Sequence, residues 1–174
     1  MDINFIKTSS KIFPYNRKLA YLYAKKWSLD RNPIYYDFDG IGGDCTNFVS
    51  QVIHAGGCPM NYDKFSGWYY NNLSDRSPSW TSVNLLREFL LTNTNRGPIA
   101  KISNIDEIDI GDIIQLDFDY DNLFNHSLVI VDIKEPRIYS NISIAAHTYD
   151  RFNYSLDNYN FKEIEFYHIL GYKK

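Results

Sequence analysis

The chain of 174 residues holds only two cysteines, Cys45 and Cys58. Two cysteines build no disulfide framework, and neither stands in a Cys/His spacing that reads as a zinc site. A helix over 46–55 would hold their sulfurs roughly 15 Å apart, whereas a disulfide needs Cα atoms within about 7 Å. Both are therefore read as reduced thiols. No apolar run approaches membrane-spanning length, so no membrane span is expected. Neither sign of charge forms a run, and the formal net charge is −3. The basic stripe of a nucleic-acid binder is missing. There is no internal repeat and no low-complexity segment. Met1-Asp2-Ile3-Asn4-Phe5-Ile6-Lys7 lacks the apolar core and small-residue cleavage site of a signal peptide. The expectation is a protein that stays in the cytoplasm, leaves by another route, or has been trimmed. No cofactor is expected.

What is present is a globular composition, 44% apolar and 17% aromatic, in a chain long enough for one domain with a proper core. The expectation is a single domain over 1–174, with its core at about 15–172. Leu19, Ala20, Tyr23, Ala24 and Trp27 recur at helical spacing, giving a helix over 15–28 with one stripe inward. Asn32-Pro33 ends it. A loop over 34–43 feeds a second helix, which Gly56-Gly57 and Pro59 terminate. Residues 58–81, rich in Tyr, Trp, Asn and Ser, read as a long loop forming one wall of a groove. A third helix over 82–91 turns Leu85, Leu86, Phe89 and Leu90 inward. After Gly97-Pro98 the pattern becomes β, with strands at 113–118, 127–133, 138–146 and 164–172. Helices first and strands later argue α+β, with N-terminal helices packed on a C-terminal antiparallel β-sheet.

The chemistry centres on residues 40–53. Three glycines allow a sharp turn, Asp44 is a good N-cap residue, and Cys45 opens a helix with Phe48, Val49, Val52 and Ile53 on one face. A cysteine in a first helical turn meets the positive end of the helix dipole and unpaired N–H groups, which favour the thiolate. The bland alternative is a small buried cysteine at a helix start. A thiolate nucleophile also needs a base and a group to orient it. His54 lies too far along the same helix as Cys45, and His168 falls in an aromatic strand. His126 and His147 remain. A tight turn at Glu135-Pro136-Arg137 would pair residues whose numbers sum to 273, opposing Val129 to Ile144 and His126 to His147 on one face. His126 would then be the base and His147 its orienting partner. Asn141, Asp150 and Asn125 are rivals for that third place. Asp117-Phe118-Asp119-Tyr120-Asp121-Asn122 opens like a calcium loop, but position 6 is Asn122 and position 12 is Leu128. It reads as a polar turn, and no metal site is expected.

Gly42-Gly43-Asp44-Cys45-Thr46-Asn47-Phe48-Val49-Ser50-Gln51, followed by Ala55-Gly56-Gly57, resembles the signature of the bacterial putative amidase domain family. That family is grouped with papain-like cysteine hydrolases of the NlpC and CHAP type. The likeness continues in Tyr15-Asn16-Arg17, Ala20, Tyr23-Ala24, Trp27, Asn32-Pro33, Trp68, Ser79-Trp80, Gly111-Asp112-Ile113-Ile114, His126-Ser127 and His147-Thr148. It covers about 15–156. The resemblance implies a papain-like, NlpC-type α+β fold and a cysteine–histidine amide hydrolase. Its substrate would be a peptide or amide, such as a peptidoglycan stem peptide. It matches the family's histidine to His126 and leaves the third residue open. It implies an oxyanion site of backbone N–H groups at the start of the Cys45 helix, helped by Tyr35 or Tyr36. Asp44 would fix the loop and cap the helix, and Asn47 stands where the family keeps it. Other readings are an acyltransferase using the same thioester, a non-catalytic binding module on the same fold, and an effector acting on another protein.

Overall fold

The computed structural model describes residues 11–121 and 123–174. The expectations placed on residues 1–7 and on Asn122 lie outside the described residues. Helix α1 runs over Arg17–Trp27 and α2 over Cys45–Ala55. A small hairpin, β1 (Tyr70–Asn72) and β2 (Asp75–Arg76), precedes a single helical turn, α3 (Pro78–Thr81), and α4 (Val83–Thr92). The strands β3 (Gly97–Ser103), β4 (Ile113–Asp117), β5 (His126–Ile133), β6 (Ile142–Ala146), β7 (Arg151–Ser155) and β8 (Glu163–Lys173) follow. They form one antiparallel six-stranded sheet in the order β3-β8-β4-β5-β6-β7. The chain is α+β, with the helices first and the sheet after them, as expected.

Alternation along the strands divides the core in two. Ile113, Val129, Val131, Ala145, Tyr167 and Ile169 face the helices and pack with Ala20, Ala24, Phe48, Val49, Val52, Trp80, Leu86 and Leu90. Ile114, Leu116, Leu128, Ile130, Ile144 and Phe166 face the other way, under Ile108, Leu156 and a rim that includes Tyr154, Tyr159 and Phe161. The central strands are therefore buried on both faces, which is why 128–131 reads as a continuous apolar run. The helical stripes are narrower than the sequence suggests. Leu19 is 48% exposed and Leu85 42% exposed, each at the margin of its helix's inward face. Strands β3 and β7 and the turn α3 carry weak local signals and were not expected.

The register of β5 and β6 differs from expectation. Val129 pairs with Ala145 and Ile130 with Ile144, then a bulge intervenes and Asp132 pairs with Ser143. The pair sums are 274 and 275, not 273. A 3-10 turn at Tyr139–Asn141 lengthens the connection, and the bulge takes up the extra residue. An odd shift moves one side chain to the opposite face. Beyond the last pair, Ser127 rather than His126 comes opposite His147.

Candidate active site

Two strands and a loop meet at the start of α2. Cys45 is the first residue of that helix. Positive φ at Gly40, Gly42 and Gly43 lets the loop before it turn sharply. A Cβ on Gly43 would lie 3.0 Å from the Thr148 hydroxyl, so the close approach there also requires glycine. Asp44, fully buried, organises the loop. It accepts hydrogen bonds from the Phe38 backbone N–H (3.0 Å), Asn47 Nδ2 (2.8 Å) and His147 Nδ1 (2.5 Å), with Arg31 Nε at 3.7 Å. Its side chain fixes the loop as expected but does not cap the helix. The first-turn amides of α2 therefore lack a capping side chain. Asn47 also donates to the Tyr36 carbonyl (3.0 Å) and accepts from Trp80 Nε1 (2.8 Å), tying loop, helix and α3 together.

The loop after β6 clamps this arrangement from the other side. Thr148 accepts from the Asp44 N–H at 2.7 Å, and Asp150 binds Arg31 through both oxygens, at 3.1 and 2.9 Å. Arg31 also pairs with Asp39 and Asp37. His147 stacks on Phe48 with ring centroids 4.1 Å apart, and its Nε2 lies 2.8 Å from the Trp27 carbonyl. Both ring nitrogens of His147 are thus engaged, by the Asp44 carboxylate and the Trp27 carbonyl. That corrects the expected His126–His147 contact. The two ring nitrogens of His147 are taken up by Asp44 and Trp27, not by His126, and the register turns it toward α2.

His126 begins β5 on the same face as Leu128 and Ile130, beside Phe118 and Tyr159, with ring centroids at 6.3 and 5.8 Å. Its Nε2 is buried and has no hydrogen-bond partner among the described residues. None of the rivals for a third residue reaches it. Asn141 donates to the Pro136 carbonyl, Asp150 holds Arg31, and Asn125 donates to Asp119. Tyr35 stacks on Trp80 (centroids 5.9 Å) and Tyr36 packs edge-on to Phe38 (5.1 Å). Neither hydroxyl bonds the Cys45 sulfur. Tyr159 does stand at the site. Its hydroxyl is buried and unpartnered among the described residues, and its ring neighbours His126. Nothing in the local sequence marks a tyrosine one residue past a 3-10 turn, so sequence reasoning missed it.

Cys45 and His126 are each 6% exposed. Burial pushes the Cys45 thiol up, against the Ser127 backbone N–H and the Thr46 hydroxyl and amide, which favour the thiolate; the Asp44 charge adds to the rise. Burial alone pushes His126 down to about 4. Burial thus favours a thiol at Cys45 and a neutral ring at His126, against the thiolate that the helix start alone suggests. Cys58 is fully buried, and burial raises its thiol strongly. Both cysteines are free. His54 bonds the Cys58 carbonyl and His168 bonds Asp112, so both act locally. A cavity of about 290 Å³ opens between the 61–69 segment and α4, bordered by Asp63, Phe65, Tyr69 and Glu88 but not by Cys45 or His126. The 58–81 stretch therefore does wall a depression, away from the sulfur. Among the described residues no cluster of metal-ligating side chains occurs, and no helix is long and apolar enough to cross a membrane.

The profile of a family described as a putative amidase domain matches residues 14–170. The uncharacterized protein YhbB of Bacillus subtilis is 38% identical over 124 residues, covering 70% of this chain and 38% of its own length. The uncharacterized protein YjcM of the same bacterium is 22% identical over 153 residues, covering 84% of this chain and 34% of its own length. The chain thus spans between a third and two fifths of these relatives. No solved structure matches it.

Proposed function

The chain belongs to the putative amidase domain family, and on that premise we propose that it is a cysteine-dependent amide hydrolase of papain-like, NlpC-type architecture. One observation carries the reading. Cys45 opens a helix against the first residues of β5, where His126 carries a buried nitrogen with no partner among the described residues. A neutral imidazole with a free lone pair is what a general base needs.

The sulfur attacks the amide carbonyl while His126 takes the thiol proton. The carbonyl oxygen gathers negative charge, met by the first-turn amides of α2 and by the Tyr159 hydroxyl. Protonated His126 then gives its proton to the leaving amine as the C–N bond breaks, and a thioester remains on Cys45. Water, deprotonated by His126, attacks that thioester and releases a carboxylic acid and the thiol. His147 and Asp44 hold the loop that sets the sulfur's position. The proposed substrate is a peptide amide, with peptidoglycan stem peptide as the first candidate. The test is turnover of synthetic stem peptides, read by mass spectrometry as cleavage with gain of one water. Cys45→Ala and His126→Ala should each abolish it, because nucleophile and base act as a unit. Tyr159→Phe should lower kcat more than it changes KM. Cleavage that survives Cys45→Ala would sink the reading. Product that forms only with an added amine would make the protein an acyltransferase on the same thioester.

A further inference from the structure

Behind the sulfur lies a line of buried polar side chains that the mechanism above does not use. Thr46 Oγ1 is 3.7 Å from Cys45 Sγ and 3.1 Å from Ser127 Oγ. Ser127 Oγ is 3.4 Å from Gln115 Nε2. Thr46, Ser127 and Gln115 are at most 1% exposed. Hydroxyl pairs leave the direction of a hydrogen bond open while Cys45 is a thiol, but Gln115 at one end and an ionised sulfur at the other set it. The Gln115 amide donates through Nε2 to the Val83 carbonyl at 2.8 Å, and a carbonyl can only accept. With the amide so oriented, only Nε2 faces Ser127. Ser127 accepts from Gln115, and once Cys45 is a thiolate, which only accepts, Ser127 gives its own hydrogen to Thr46. Thr46 accepts that hydrogen, and its own is left for the sulfur.

We propose that Gln115, Ser127 and Thr46 are positioning residues forming a one-way donor chain that delivers an O–H to Cys45 and so favours its nucleophilic form. A chain of aligned donors polarises along its length, and a donor to an anionic sulfur is worth more than one to a neutral thiol. The chain opposes the burial that holds the thiol protonated. It also ties α2 to β5, so the residue next to His126 anchors the residue next to Cys45. The inference rests on Cys45 being the nucleophile of the proposed hydrolase, but its test needs no substrate.

The other groups acting on the sulfur are the Ser127 backbone N–H from β5, Tyr159 from the segment after β7, and Asp44 at the helix start, itself held by His147 and Arg31. None of them changes in the variants below. The measurement is the rate of iodoacetamide labelling of Cys45 in the intact chain against pH, resolved by mass spectrometry. Buried Cys58 serves as an internal control for unfolding. Thr46→Val should move the thiol titration up by about one unit and slow labelling near neutral pH about tenfold, since a hydrogen bond to a charged group is worth roughly that much. Thr46→Ser should restore the parent curve. Ser127→Ala should shift it in the same direction by less. A parent-like titration in Thr46→Val, or no rescue by Thr46→Ser, would overturn the proposal. So would loss of the folded circular dichroism spectrum in both Thr46→Val and Ser127→Ala, because the chain would then be structural. A failed titration shift with intact amide cleavage, or the reverse, separates this inference from the hydrolase reading.

Discussion

At His126, burial drives the ring toward its neutral form. Its folded pKa is about 4, below the ordinary value near 6.5. Between those values the unfolded chain binds a proton that the folded chain does not, so stability must rise with pH there. The contribution is fully present above about pH 6.5 and falls as pH drops toward about 4, by about 3 kcal/mol in all. Urea midpoints compared from pH 7 to pH 4 should therefore show the parent losing stability relative to His126→Gln as the pH falls. Parallel lines would show that the imidazole is not held neutral. The placement of Cys45 and His126 at the starts of α2 and β5 is legible in the sequence, because glycines announce the helix and an apolar run announces the strand. The partners of His147 were not legible. They depend on where a loop from residue 30 to 44 passes, and no periodicity reports that. Tyr159 was invisible for a similar reason: it reaches the site through space, from a turn of no special composition.

Among the elements, α2 was the most readable and the β5–β6 hairpin the least. Helix α2 is bounded by glycines and carries a broad apolar face, so propensity and pattern agree. The hairpin's register turned on one bulge and one 3-10 turn, and a single residue decides which face a side chain takes. Strand β3 escaped notice because it alternates poorly after Gly97-Pro98, and β7 because its strand residues are mostly half-buried. The loop before α2 is the element whose geometry is most exacting. Gly43 has φ +98°, and a methyl group there meets the Thr148 hydroxyl. Gly43→Ala should cost about 1–2 kcal/mol from the left-handed backbone alone. Because Thr148 holds the Asp44 N–H, the same change should also alter labelling of Cys45. A drop in melting temperature without any change at Cys45 would mean that the loop and the sulfur are not coupled.

For the molecule as a whole, the order of helices before strands gave the α+β class directly, whereas the sheet order could not be read from it. The last strand, β8, lies inside the sheet between β3 and β4 rather than at its edge. It pairs along seven positions with β3 and five with β4. A chain ending at residue 160 would leave β3 detached and expose the apolar face of β4, so it should fail to give a cooperative unfolding transition. A cooperative melt for that truncation would show that the helices and β4–β7 suffice without it.

The contact between Thr46 and Ser127 joins residues 81 apart in the sequence. During synthesis at about 5–20 residues per second, the strand that shelters Cys45 is made roughly 4–16 seconds after the helix that carries it. Over that interval nothing from β5 or β6 covers the sulfur. It then behaves as an ordinary surface thiol, open to oxidants and to metals that the finished protein excludes. The newborn chain is therefore the vulnerable form, and the sulfur's greatest exposure comes before the fold that shelters it exists.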